Sequence, residues 1–181
     1  MKFTFIPQAI PDVLLIEHEM MGDARGFFAE TMRADAFAAH GVPALVQENL
    51  SRSRRDVLRG LHYQKPPAAI GKLVRCTRGR IFDVAADLRR SSPTFGKHVV
   101  VELGENETRM LWVPVGFAHG FCVLSESADV LYKTTGYYAP EHDVGVRWND
   151  PTIGVPWPTP TPILSERDKA APLLMDATTG F

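Results

Sequence analysis

Arg59-Gly60-Leu61-His62-Tyr63-Gln64 sets a candidate base in a strand-like frame beside a cation and an amide. Further along, Pro114-Val115-Gly116-Phe117-Ala118-His119-Gly120-Phe121 repeats the theme, and the two stretches read as halves of one cavity. Around them, apolar or alternating runs at 13–19, 27–32, 44–50, 57–63, 70–78, 80–88, 97–103, 109–113, 118–124 and 128–135 are separated by Gly, Pro, Asp or Asn. Short strands at this frequency predict a mainly β barrel or sandwich. Helix is scarce. Ala34, Phe37 and Ala38 fall at helical spacing between Arg33 and His40, with Gly41-Val42-Pro43 as the stop, which predicts a surface helix. Five prolines between Asp150 and Pro162 break any regular element and predict an ordered strap that lays Trp157 on the barrel. Ser165-Glu166-Arg167-Asp168-Lys169 opens a short C-terminal helix.

Strand polarity locates the cavity. In 81–88, Ile81, Asp83, Ala85 and Asp87 share one face, and Phe82, Val84, Ala86 and Leu88 the other. Taken alone, this strand is expected to turn its acidic face to solvent, as antiparallel sheets usually do. Other strands argue for a polar interior. Gly60, His62 and Gln64 share a face, as do Lys72, Val74 and Cys76, and Val130, Tyr132 and Thr134. Converging, they bring a base, a cation and a phenol around one space. Arg59 has the wrong parity to join His62 unless Gly60 marks a bulge.

The chain has 181 residues, 45% hydrophobic and 23% charged, the composition of a globular protein, and is read as a single domain over 1–181. A net charge of -1 supplies no long-range field for nucleic acid or membrane, and no run approaches the roughly 20 apolar residues of a spanning helix. The N-terminus lacks the apolar region and cleavage site of a signal peptide, and two cysteines are too few for a disulfide framework, so a cytoplasmic address is expected. Cys76 and Cys122 can pair only if their strands are neighbours; buried free thiols are the expectation.

The Pro-x-Gly-x-x-His pattern of Pro114, Gly116 and His119 resembles the second motif of the cupin superfamily, which implies a double-stranded β-helix or jelly-roll barrel with a few short helices. Metal-binding cupins carry two histidines and a carboxylate in their first motif. Here Tyr63 and Gln64 follow His62, and Lys65-Pro66-Pro67-Ala68-Ala69 brings no carboxylate, so a metal-free cupin is expected.

A longer ordered match covers nearly the whole chain. It comprises Asp23 to Glu30, Gln47 to Ser51, Arg59 to Gln64, Gly71 to Arg75, Gly79 to Val84, Pro114 to Phe121, Tyr132-Lys133, Trp148 to Pro151 and Ser165 to Asp168. This set closely resembles the dTDP-4-dehydrorhamnose 3,5-epimerase family. The resemblance implies a cofactor-independent isomerase that inverts carbons 3 and 5 of dTDP-4-dehydro-6-deoxy-D-glucose to give dTDP-4-dehydro-L-rhamnose. A hydrogen beside a ketone is acidic because its carbanion delocalises into an enolate, so the site needs a base at carbon and a positive donor at oxygen. His62 fits the base and Lys72 the oxyanion partner. The family pattern assigns Asp168 to hold the histidine tautomer and Tyr132 to return a proton from the opposite face.

For the nucleotide, the resemblance implies contacts from Arg25, Arg59, Gln47, Asn49 and Glu30, and a base-stacking ring at Tyr138, with Tyr137 adjacent in the alignment. His119 and Asp83 form either a second carboxylate-supported histidine beside the sugar or a structural pair. Arg52, Arg54 and Arg55 read as a solvated face, and as the only competing cradle for a diphosphate. Two positions depart from the family pattern: Asp143 stands where many relatives carry Glu, and Arg167 where they carry Lys. The resemblance also implies a homodimer that exchanges N-terminal strands and places residues near Arg25 to Glu30 at the neighbour's site. The alternatives are a single-carbon epimerase or 3,4-ketoisomerase, a non-catalytic sugar-nucleotide binder, and a metal-dependent oxygenase.

Overall fold

The computed structural model describes residues 1–181. In chain order its elements open with β1 (Phe3–Pro7), β2 (Leu14–His18), β3 (Met21–Asp23), β4 (Gly26–Phe28) and helix α1 (Ala34–Ala38). Next come β5 (Gln47–Arg54), β6 (Leu58–Gln64), β7 (Lys72–Arg78), β8 (Arg80–Asp87) and β9 (His98–Gly104). The last are β10 (Arg109–Val113), β11 (Phe117–Val123), β12 (Ser127–Thr134), β13 (Asp143–Gly145) and helix α2 (Glu166–Ala170).

Two sheets face each other, with strand orders β1-β2-β10-β7-β12-β5 and β13-β6-β11-β8-β9. From β5 to β12 the chain passes repeatedly between the sheets, and every neighbouring pair within a sheet is antiparallel. That is the expected jelly roll. Sixteen buried residues fill the space between the sheets, among them Val74, Ile81, Leu111, Phe117 and Val130. Each large apolar side chain fully buried there contributes about 1.5–3 kcal/mol.

Strand β8 corrects the expectation for its acidic face. Ile81 and Ala85 belong to the cluster between the sheets, so Asp83, which shares their face, points inward and is fully buried. The opposite face is buried as well, because Val84, Ala86 and Leu88 lie under Ile153, Leu174 and Ala177 of the C-terminal segment. A strand covered on both sides has no solvent face for its carboxylates. The proline-rich strap supplies part of that cover: Trp157 sits 5.7 Å from Phe82 and donates its indole N–H to the Trp148 carbonyl at 2.7 Å.

Helix α1 forms within the expected segment, and its apolar side is buried. Phe37 packs edge-on against Phe3 and Phe5 at 5.2 and 5.3 Å, closing the outer face of the first sheet. The expected strand at 27–32 shortens to β4, which pairs only with β3 in a two-stranded hairpin. Cys76 and Cys122 are free, buried and on different sheets, and burial pushes each thiol up to about 11. No helix is long and apolar enough to cross a membrane.

Candidate active site

The site begins with the bulge anticipated at Gly60. His119 of β11 faces His62 of β6, but Phe121 faces Arg59, so two steps on one strand match three on the other. Gly60 takes a φ of +132°, and a Cβ there would meet the Gly120 Cα at 2.6 Å. Only glycine lets the backbones approach so closely. The bulge turns Arg59 toward the same cavity as His62.

That cavity, of about 390 Å³, opens between the two sheets. The second sheet contributes Arg59, His62, His119 and Phe121 to its wall, and the first contributes Gln47, Asn49, Ser51, Lys72, Tyr132 and Thr134. Ile70 and Tyr138 of loops, Asp143 of the edge strand β13 and Arg167 of α2 add to the lining. The three strand faces expected to converge do so.

His62 Nε2 lies 2.5 Å from Asp168 Oδ1. Asp168 stands on α2, whose first turn is capped by Ser165 Oγ accepting the Asp168 N–H at 3.1 Å. A carboxylate at Nε2 fixes the proton there and leaves Nδ1 as the basic nitrogen. Burial raises the Asp168 carboxyl, but the hydrogen bond and charge of His62 outweigh it and hold the group below the ordinary carboxylate value. Asp168 therefore stays ionised.

Lys72 donates to the His62 carbonyl at 3.3 Å. Burial brings its ammonium down to about 8, against the pull of the Asp143 and Asp83 carboxylates. At neutral pH it remains mostly charged. On the adjacent strand Tyr132 pairs with Asn49 and Val74, and burial together with Asp143 raises its phenol, so it keeps its proton. A base, an ammonium and a protonated phenol thus share one cavity.

A second histidine is held in the same manner: His119 Nε2 lies 2.8 Å from Asp83 Oδ1, with both side chains buried. Asp83 Oδ2 has no hydrogen-bond partner within the chain. Gln47 accepts the Tyr138 N–H at 3.0 Å and donates to Asn49 at 3.0 Å, so it ties the loop bearing Tyr138 to β5. Tyr138, and not Tyr137, lines the cavity. Gln64 supports this loop too, donating to the Ala68 and Tyr137 carbonyls and accepting the Ala139 N–H at 2.9 Å. The two departures from the family pattern meet each other, Arg167 Nη1 donating to Asp143 Oδ2 at 2.7 Å.

Two candidates are not brought to the cavity by this chain. Arg25 stands at the β3–β4 turn with its side chain 90% exposed and paired only with Asp23. Glu30 lies 3.7 Å from the N-terminal amine. The Arg52, Arg54 and Arg55 run also stays outside the cavity; Arg52 is spent on a bidentate pair with Asp129 at 2.6 and 2.7 Å. Thr134 lines the cavity as its strand face implied, whereas sequence reasoning missed Ser51, Ile70 and Phe121 as wall residues. Ser51 was within reach, since it shares strand parity with Gln47 and Asn49. Its hydroxyl is buried without a partner in the chain.

The family model described as dTDP-4-dehydrorhamnose 3,5-epimerase matches residues 7–176. The chain belongs to the dTDP-4-dehydrorhamnose 3,5-epimerase family. It is 54% identical over 172 residues to the dTDP-4-dehydrorhamnose 3,5-epimerase of Pseudomonas aeruginosa, covering 93% of this chain and 94% of that one. The crystal structure of a dTDP-6-deoxy-D-glucose-3,5-epimerase from Legionella pneumophila in complex with dTDP-4-keto-L-rhamnose superposes with a TM-score of 0.93 at 44% identity, covering 96% and 94% of the two chains. A 3′-monoepimerase from Streptomyces bikiniensis in complex with dTDP-quinovose superposes at 0.88 with 32% identity, covering 93% and 87%. A 3,5-epimerase and a 3′-monoepimerase thus share this architecture.

Proposed function

We propose that this isomerase inverts carbons 3 and 5 of dTDP-4-dehydro-6-deoxy-D-glucose, giving dTDP-4-dehydro-L-rhamnose. One observation carries the reading: the supported base stands on one sheet, the phenol and the ammonium on the other, and all face a single cavity. The substrate's 4-keto oxygen lies against Lys72, whose ammonium stabilises the enolate charge as it develops. His62 Nδ1 takes the proton from the carbon beside the ketone, and Asp168 stabilises the imidazolium that forms. Tyr132 returns a proton to the opposite face, and the centre inverts. The same cycle at the second carbon completes the reaction, with solvent resetting both groups between the two steps. Proton transfer beside an existing ketone needs no redox partner.

Arg59 and Arg167 supply the guanidinium forks for the diphosphate, with Asp143 orienting Arg167. Tyr138 offers its ring to thymine, Gln47 and Asn49 add polar contacts, and His119, backed by Asp83, donates to a sugar hydroxyl. Arg25 and Glu30 complete the site of a second copy in a homodimer. The hairpin that carries Arg25 supports this, since Met21, Phe27 and Phe28 around it are 59%, 65% and 66% exposed, an apolar surface suited to a partner. Two buried free thiols suit a reducing, cytoplasmic setting.

The test is incubation with the 4-keto-6-deoxy sugar nucleotide in deuterium oxide, followed by NMR and product configuration. Deuterium at carbons 3 and 5 with both centres inverted is expected. Label at one carbon alone identifies a single-site epimerase, and binding without exchange identifies a non-catalytic module; either result overturns the proposal.

A further inference from the structure

Helix α2, which carries Asp168, is only five residues long, too short to hold its own orientation. The chain on either side of it is tethered: Ile163 bridges Val57 before it, and Arg147 bonds the Ala171 and Pro172 carbonyls at 3.1 and 2.8 Å behind it. Tethers at the flanks still leave the rotation of one helical turn to be set by side chains. Two consecutive residues reach from α2 to the second sheet. Asp168 meets His62 at 2.5 Å, and Arg167 meets Asp143 at 2.7 Å. Lys169, by contrast, bonds Glu166 within the helix.

The two contacts form a closed ring. Gly145 of β13 pairs with His62 and Asp143 with Gln64, so the β13–β6 ladder fixes Asp143 relative to the base. Asp143 holds Arg167, the adjacent residue is Asp168, and Asp168 holds His62. The Asp143 side chain is 14% exposed, which makes it a fixed anchor for the more exposed arginine. We infer that the Arg167–Asp143 ion pair is a positioning pair, turning α2 so that Asp168 holds His62 in the Nε2–H tautomer. This role is separate from any contact with nucleotide, and it deepens the epimerase reading, on which it rests.

The experiment uses the full chain, free of ligand and labelled with [15N]histidine, and follows the His62 ring nitrogens by NMR, assigned by their loss in His62→Gln. The wild-type ring is expected in the Nε2–H form with its proton shifted downfield. Asp143→Asn and Arg167→Gln should each move it toward a mixture of tautomers and lower kcat about 10- to 100-fold, the scale of a misplaced catalytic group. The conservative pair Asp143→Glu with Arg167→Lys should restore both readouts. An unchanged His62 tautomer in the two single variants overturns the inference, as does a rise in KM alone with kcat intact. Because the tautomer is read without substrate, an inactive wild type would count against the functional reading and leave this comparison to be decided on its own.

Discussion

At the scale of the residue, the proton transfer depends on which nitrogen of His62 is basic and which groups nearby carry charge. His62→Asn removes the acceptor while leaving the cavity formed, so kcat should fall about 10²- to 10⁴-fold with a smaller change in KM. Asp168→Asn should act in the same direction, through the tautomer and the imidazolium. Steady-state kinetics on both variants checks this, and wild-type turnover in either refutes the assignment. Lys72 sets a pH limit. Its ammonium, brought down to about 8 by burial, is present below that pH and lost as pH rises through it. Activity needs the charged form, so kcat/KM, which reports the free enzyme, should decline above about pH 8. A profile that stays flat well into the alkaline range contradicts a role for the Lys72 charge. His62, Lys72 and Tyr132 were legible because period-2 alternation assigns strand faces without coordinates. Ser51 shared that parity, but a lone serine carries no chemical signal that separates a wall residue from an exposed one.

At the scale of the element, Gly60 is the position where local conformation decides the site. Gly60→Ala puts a methyl group against the Gly120 Cα and strains a φ of +132°. The two strands must part, which should cost about 1–3 kcal/mol and displace Arg59 from the cavity. Denaturant titration and KM for the sugar nucleotide measure the two effects, and an unperturbed variant would remove the bulge from the account. The bulge, the strap and the capped helix at Ser165 were all legible, because glycine and proline restrict the backbone in ways a sequence displays. The burial of both β8 faces was not. Alternation says which residues share a face, but the cover on the outer face comes from Ile153, Leu174 and Ala177, remote in sequence. The three-residue strands β3 and β13 were hidden for a simpler reason, being too short for a period to show.

At the scale of the whole molecule, the jelly roll works as two opposed walls, and a second copy is expected to finish the site. Arg25 lies outside the cavity of its own chain, so an Arg25→Ala chain and a His62→Asn chain should complement each other when mixed and re-equilibrated. In mixed dimers one of the two sites then carries neither substitution, and the mixture should recover activity from about a quarter of its sites. Mixtures no more active than their components, or a fully active monomer in analytical ultracentrifugation, would dismiss the exchange. Across that cavity His62 on one sheet is proposed to remove the proton and Tyr132 on the other to return it. Tyr132→Phe tests this most directly, with deuterium uptake at carbons 3 and 5 followed by NMR while reduction of the keto sugar reports configuration. Hydrogen exchange should outlast inversion in this variant; inversion of both centres at the wild-type rate would make Tyr132 a packing residue.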